Sequence, residues 1–220
     1  MPEQRGGHGQ PDHGQRGADP RPRRLVLASG NAGKQREFAA LLAELGIELV
    51  LQSSLGISPA EETGTTFEEN ALLKARHAAQ QSALPALADD SGLEVEALGG
   101  APGVYSARYA GAAASDDDNN RKLLTELAPF GPRSRAARYV CVLALVRAAD
   151  DPAPVFARGT WEGVIATVAA GNGGFGYDPL FVPRGMTLHA AQLRPELKNR
   201  LSHRGQAAAA LVQQLQALAW

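Results

Sequence analysis

The chain has 220 residues, 44% hydrophobic and 20% charged, and its 22 Lys and Arg against 23 Asp and Glu give a formal net charge of −1. That composition suits a soluble globular protein large enough to bury a core, and near neutrality excludes a global field that would draw it to nucleic acid or an anionic membrane. A single cysteine, Cys141, excludes a disulfide framework and a multi-cysteine metal centre and fits a reducing compartment.

Residues 1–22, rich in Gly, Pro, Arg and Asp, lack the apolar region of a secretory signal and are expected to form a disordered tail. Residues 23–220 are expected to form one domain. No apolar run approaches the ~20 residues of a membrane span, so the expected location is cytoplasmic, with no membrane and no nucleic acid as partner. "RRLVLASGN" reads as a short strand entering a polar turn. "AGKQREFAALLAELG" reads as a helix, because Phe38, Leu41, Leu42 and Leu45 fall at i, i+3, i+4, i+7 spacing and Gly46 offers a stop. "IELVLQ" is a second strand. "TTFEENALLKARHAAQQSAL" is a second helix, with Thr66 and Glu69 at capping-box spacing and Ala71, Leu72, Ala75 and Ala79 along one face. A short strand "PALA" then runs into Asp89 and Asp90. A helix around "NNRKLLTELAPF" and a long apolar strand "ARYVCVLALVRA", burying Cys141, follow. "PVFARGTWEGVIA" is a strand or strand pair, "GNGGFGYDPLFVP" a Gly-rich turn, and a last helix begins at about Ser202. Strands alternating with helices and then following one another predict an α/β fold with a mixed sheet.

Five stretches carry polar groups that scaffold alone does not require. In "SGNAGK", Ser29, Gly30, Asn31, Ala32, Gly33 and Lys34 lie between a strand and a helix start. Free N–H groups and the helix dipole favour an anion there, although a capped turn has the same pattern, and the spacing is not that of a Walker A loop. Glu61 and Glu62 precede Gly64 in a polar loop, whereas Glu68 and Glu69 are accounted for by the dipole of the helix they begin. Lys74, on that helix, reads as solvated or ion-paired. Asp89 and Asp90 repel each other unless a cation or hydrogen bonds compensate. Their adjacency on a strand points them to opposite sides and so to different jobs. Mg²⁺ would resolve the repulsion, since it takes one or two carboxylates together with phosphates and water, and a carboxylate beside it can activate water. An Asx-type turn is the competing reading of "ADDSGL". In "GGFGYDP" a planar base could stack on Phe175, with Asp178 or the backbone reading its edge; a tight structural turn is the alternative. Lys198, His203 and Arg204 surround the start of the last helix, where cations are poorly placed without an anionic or base-edge partner.

The segments "SGNAGK", "EETGTTFEENALLKARHAA", "LADDSGLEVEALGGAPGVYSARYAG", "GGFGYDPLF" and "LSHRGQA" resemble, in sequence and order, the inosine/xanthosine triphosphate pyrophosphatase family, from about Leu25 to the last helix. The resemblance implies Mg²⁺-dependent hydrolysis of ITP, dITP and XTP to the monophosphate and pyrophosphate, a purine nucleoside triphosphate as substrate, and a homodimer. It also implies an elongated mixed α/β fold with two lobes around a central cleft. By position, Ser29, Gly30, Asn31, Ala32, Gly33 and Lys34 resemble the triphosphate- and sugar-binding loop. Asp90 resembles the proton acceptor and a Mg²⁺ ligand, with Asp89 supporting it. One of Glu61 and Glu62 resembles a second metal ligand, with Glu61 favoured by its spacing from Gly64. Ser91 resembles a substrate contact; Phe175, Gly176, Tyr177 and Asp178 resemble the nucleobase pocket; and Lys198, His203 and Arg204 resemble further substrate contacts. A pyrophosphatase of the same fold for modified pyrimidine triphosphates, and a nucleotide-binding module without turnover, remain the rival readings.

Overall fold

The computed structural model describes residues 23–29, 35, 38–39 and 46–218; the expected tail 1–22, the loop from Gly30 to Lys34 and the positions Leu41, Leu42 and Leu45 lie outside the described residues. The described elements are β1 (Arg23–Leu27), β2 (Ile47–Leu51), α1 (Phe67–Ser82), β3 (Ala86–Val95), α2 (Asp116–Leu127), β4 (Ala136–Val146), β5 (Val155–Ile165), β6 (Phe181–Pro183), α3 (Pro195–Leu201) and α4 (His203–Ala217). Gln35, Phe38 and Ala39 are helical, as the spacing between β1 and β2 predicts. Gly46 follows in the left-handed region, φ 66°, which only glycine enters without steric cost.

The strands form one sheet in the order β2-β1-β3-β4-β5-β6. β1 runs parallel to β2 and β3, and the remaining pairs are antiparallel, so the sheet is mixed. Period-two alternation divides β4 cleanly. Val140, Val142, Ala144 and Val146 pack beneath α1, and Cys141, Leu143 and Leu145 pack beneath α4. The α1 side is built largely of alanine (Ala71, Ala75, Ala78 and Ala79 against Ala86 and Ala88), which lets that helix lie close to β3. A capping box of Thr66 and Glu69 fixes where α1 starts, a feature worth about 1 kcal/mol. A third core, around Leu93, Leu123, Leu127, Trp161, Ile165 and Phe181, forms at the other end of β3–β5. The molecule therefore has two lobes on one sheet.

The structure corrects three expectations: Phe181–Pro183, expected within a Gly-rich turn, is strand β6, Pro195–Leu201 is a helix ahead of the one expected from Ser202, and β3 is longer than expected. β3 does not end at "PALA"; it continues through both aspartates to Val95 because β4 pairs with it over its whole length, from Ala86↔Val146 to Val95↔Ala137. β1 pairs with it only as far as Leu27↔Leu87. Beyond that point no described strand pairs with that edge of β3, and a cleft begins there. The turn Gly103–Arg108 covers the next part of that edge, where Leu93 N–H donates to Ser106 Oγ at 2.9 Å. A Cβ on Gly92 would meet the Gly103 carbonyl oxygen at 2.3 Å, so glycine is required for that approach.

Gly159 performs the same service where α4 crosses β5. A Cβ there would fall 2.0 Å from the His203 carbonyl oxygen and 2.5 Å from the Ala207 nitrogen. These are backbone atoms that cannot swing aside. Gly159→Ala is expected to destabilise the fold by the upper end of about 1–3 kcal/mol, the range for overpacking. A shift in the urea unfolding midpoint at unchanged m-value would measure it.

Candidate active site

The acid cluster is assembled from β3, α1 and the loop before α1. Asp90 projects toward α1, whose Asn70 and Lys74, one turn apart, share the face turned to β3. Lys74 Nζ donates to Asp90 Oδ1 at 2.8 Å and to Glu62 Oε1 at 2.9 Å. Asn70 Nδ2 donates to Asp90 Oδ2 at 3.3 Å, and Arg108 donates to Glu62 Oε2 at 2.8 Å. Asp89 points to the opposite side and accepts from Ser91 Oγ at 3.1 Å. Two cations thus draw together the carboxylates that would otherwise repel. Burial opposes the Lys74 charge, but Asp90, Asp89 and Glu62 outweigh it and hold the ammonium above its ordinary 10.5. Burial likewise opposes the Glu62 charge, and Lys74 and Arg108 outweigh it, holding that carboxyl below its ordinary 4.5.

Of the two glutamates, it is Glu62 that shares a cation with Asp90; Glu61, favoured by spacing, is exposed. The loop places Glu62 inward because alternate residues of an extended segment face opposite ways. Ser29 is buried at the end of β1, and Ala28 N–H donates to Leu87 O at 2.8 Å. Continuing that register brings Ser29 level with Asp89. The rest of the expected phosphate loop lies outside the described residues.

Next along β3, Ser91 and Gly92 form one wall of a cavity of about 300 Å³, at the small end of the range for small-molecule sites. Its other walls bring together the residues singled out in the two C-terminal segments: Phe175, Gly176, Tyr177 and Asp178 from the Gly-rich turn, and Lys198, His203 and Arg204 from α3 and α4. The Phe175 ring is 37% exposed, with Lys198 Nζ 5.1 Å and Arg204 Cζ 5.3 Å from its centroid. Those are cation–π distances. Asp178 is turned inward: its Oδ2 accepts from Phe175 N–H at 2.9 Å and from Lys198 Nζ, so its carboxylate holds the turn and orients the lysine. Tyr177 Oη donates to Ser106 O at 2.9 Å. His203 stacks on Tyr139 with centroids 4.7 Å apart and planes 8° from parallel; burial pushes the Tyr139 phenol well above 10 and keeps it neutral. Arg204 reaches Ser91 Oγ at 3.4 Å, linking this pocket to the strand that carries the acids.

Sequence reasoning missed Asn70, Asn119, Asp116, Ser106 and Tyr139 as parts of this region. A signal existed for Asn119: it continues the apolar stripe of Leu123 and Leu127 at i, i+4, i+8 and is only 2% exposed. A polar residue on a core-facing stripe must have partners. Tyr139 gave no such signal, since an aromatic residue in an apolar strand reads as core.

This two-lobed mixed sheet matches solved HAM1 proteins in fold. The solved HAM1 protein of Coxiella burnetii matches with a TM-score of 0.85 and 47% identity, covering 89% of this chain and 99% of that one. The chain belongs to the Ham1 family, whose family model matches residues 25–214. A relative from Methylococcus capsulatus, named a dITP/XTP pyrophosphatase, is 60% identical over 196 residues, 89% of this chain and 98% of that protein. One of the same name from Bordetella pertussis is 59% identical over 202 residues, 90% and 94% of the two chains.

Proposed function

We propose that the protein hydrolyses non-standard purine nucleoside triphosphates, namely ITP, dITP and XTP, to the monophosphate and pyrophosphate, clearing them from the nucleotide pool before polymerases use them. One observation carries this reading: the acid cluster and the aromatic pocket occupy consecutive residues of one strand, Asp90, then Ser91 and Gly92. A base held against Phe175 would have its phosphates directed along β3 toward Asp90 and Ser29. The dITP/XTP pyrophosphatase names of the relatives support the substrate class.

In this mechanism the base enters the pocket, and Lys198, His203 and Arg204 offer donors to its 6-oxo edge. Adenine presents an amino group there and would leave those donors unpaired, a mismatch that rejects analogues by roughly 10⁴-fold in sites built on hydrogen bonding. Asp90 takes a proton from water as that water's oxygen bonds to the α-phosphorus. The bond from the α-phosphorus to the bridging oxygen breaks, and pyrophosphate leaves with that oxygen. Asp89, on the opposite face, fixes Ser91 beside the reacting end.

The donor set fits Mg²⁺. Asp90 and Glu62 already direct one oxygen each at a shared cation, the Lys74 ammonium, and both are hard oxygen ligands. An ion held by these two would keep waters and complete its shell with substrate phosphates. Bound between Glu62, Asp90 and the substrate, Mg²⁺ would neutralise phosphate charge and acidify water.

Pyrophosphate release from ITP, XTP, dTTP, GTP and ATP with Mg²⁺ tests this. The expected order puts ITP and XTP far ahead, and EDTA removes the activity. Preference for dTTP would favour the pyrimidine rival, and binding without release would favour the non-catalytic one. A pool-cleansing enzyme acts where nucleotides are polymerised, hence in the cytoplasm, and no described helix is long and apolar enough to cross a membrane. The proposed homodimer should sediment at twice the chain mass.

A further inference from the structure

Two walls of the cavity hang from the first turns of one helix, α2. On one side Asn119 Nδ2 donates to Ala107 O at 3.2 Å and its Oδ1 accepts from Ala110 N–H at 2.8 Å, holding the segment that carries the lining residues Ser106 and Ala107. One donor bond and one acceptor bond fix the amide's orientation. On the other side Asp116 Oδ2 accepts from Gly176 N–H at 2.6 Å, and Asn120 Nδ2 donates to Gly176 O at 2.8 Å. Both backbone groups of that residue are taken, and it lies between Phe175 and Tyr177. Gly176 has φ 61°, so the peptide held here is one that most residues could not supply. The turn of α2 is itself rigid: Ser115 and Asp118 close a capping box, while Leu123 and Leu127 anchor the helix in the second lobe's core at 0% exposure.

We infer that Asp116, Asn119 and Asn120 are positioning residues that set the width of the base pocket by fixing its two facing walls to one helical turn. They act through Gly176 and the 107–110 segment; Asp116 and Asn119 also line the cavity, whereas Asn120 does not, so Asn120→Ala reads the action through Gly176 alone, and the inference rests on the nucleotide-hydrolysing reading of the cavity. The width of the cavity that Phe175 and Gly92 help to line is then a property of α2, and selectivity for the base is lost when α2 lets go, while the phosphate end of the cleft is untouched.

The test compares Asp116→Ala, Asn120→Ala and their double variant with the parent. Removing a charge-assisted bond to a backbone N–H raises KM for ITP by about tenfold, with little change in kcat and a fall in the ITP-to-ATP ratio of kcat/KM. Inhibition by inorganic tripolyphosphate, which has no base, stays at the parent level. Asp116→Asn, which keeps an acceptor oxygen, restores most of the loss. A parent-like KM in the double variant would overturn the inference, as would a loss shared equally by kcat and tripolyphosphate inhibition. Calorimetric binding of inosine monophosphate reads the pocket without turnover. Parent protein that binds it yet releases no pyrophosphate from ITP would sink the hydrolase reading while leaving the pocket result to stand or fall on the variants.

Discussion

Asp90→Asn is expected to lower kcat for ITP by about 10³-fold or more, within the range lost when a positioned general base is removed. The amide cannot accept the proton from attacking water, and it is a weaker ligand for a hard cation. The fold should survive, because Lys74 keeps Glu62 as an ion-pair partner at 2.9 Å and an Asn amide oxygen can still accept a hydrogen bond. Unchanged thermal unfolding with lost turnover is the expected pair of results. Asp89→Asn serves as the comparison. Asp89 faces Ser91 on the other side of β3, so its loss should be the milder of the two. Equal activity of Asp90→Asn and parent would remove Asp90 from the role of base.

Lys74→Met is expected to produce the largest loss of stability, about 3–5 kcal/mol, the cost of breaking a buried ion pair by removing one member. The Lys74 side chain is 13% exposed, so little water would replace it, and Glu62 and Asp90 would lose the ammonium they share. Packing loss and charge loss are separable. Adding Glu62→Gln and Asp90→Asn to Lys74→Met should recover stability if repulsion is the cause, and should not if the cost is a cavity. Millimolar Mg²⁺ should raise the melting temperature of Lys74→Met more than that of the parent, because Glu62 and Asp90 of the variant no longer share the Lys74 ammonium with which the ion competes.

The elements that the sequence reveals are those whose local chemistry and tertiary environment agree. The Thr66–Glu69 box marks the start of α1, and the alternation in β4 distributes its side chains to two faces. β3 was misjudged in extent because Asp, Ser and Gly are poor strand residues; ten residues of pairing with β4 override that preference. α3 was missed because seven residues carry little periodicity, although Pro195 at its first turn was a usable sign. In the site, the paired acids stand out because like charges at a strand end need a compensating partner, and the Lys-His-Arg set because cations are poorly placed at a helix start. Lys74 did not, because a helix lysine is ordinarily solvated. Its role emerges only when α1 is laid against β3. The role of Asp116 depends likewise on Gly176, 60 residues distant, which no local pattern encodes.

β3, β4 and β5 run without a break from one core to the other. The two halves of the molecule therefore cannot swing like jaws on a hinge, since doing so would shear whole ladders of backbone hydrogen bonds. Among the described residues, admission of a nucleotide then falls to the 103–111 turn and the Gly-rich 171–178 stretch, which move together with α2, to which both are tied, over a stiff floor. Hydrogen exchange should then slow at those two segments when ligand binds, and stay unaltered along the three shared strands.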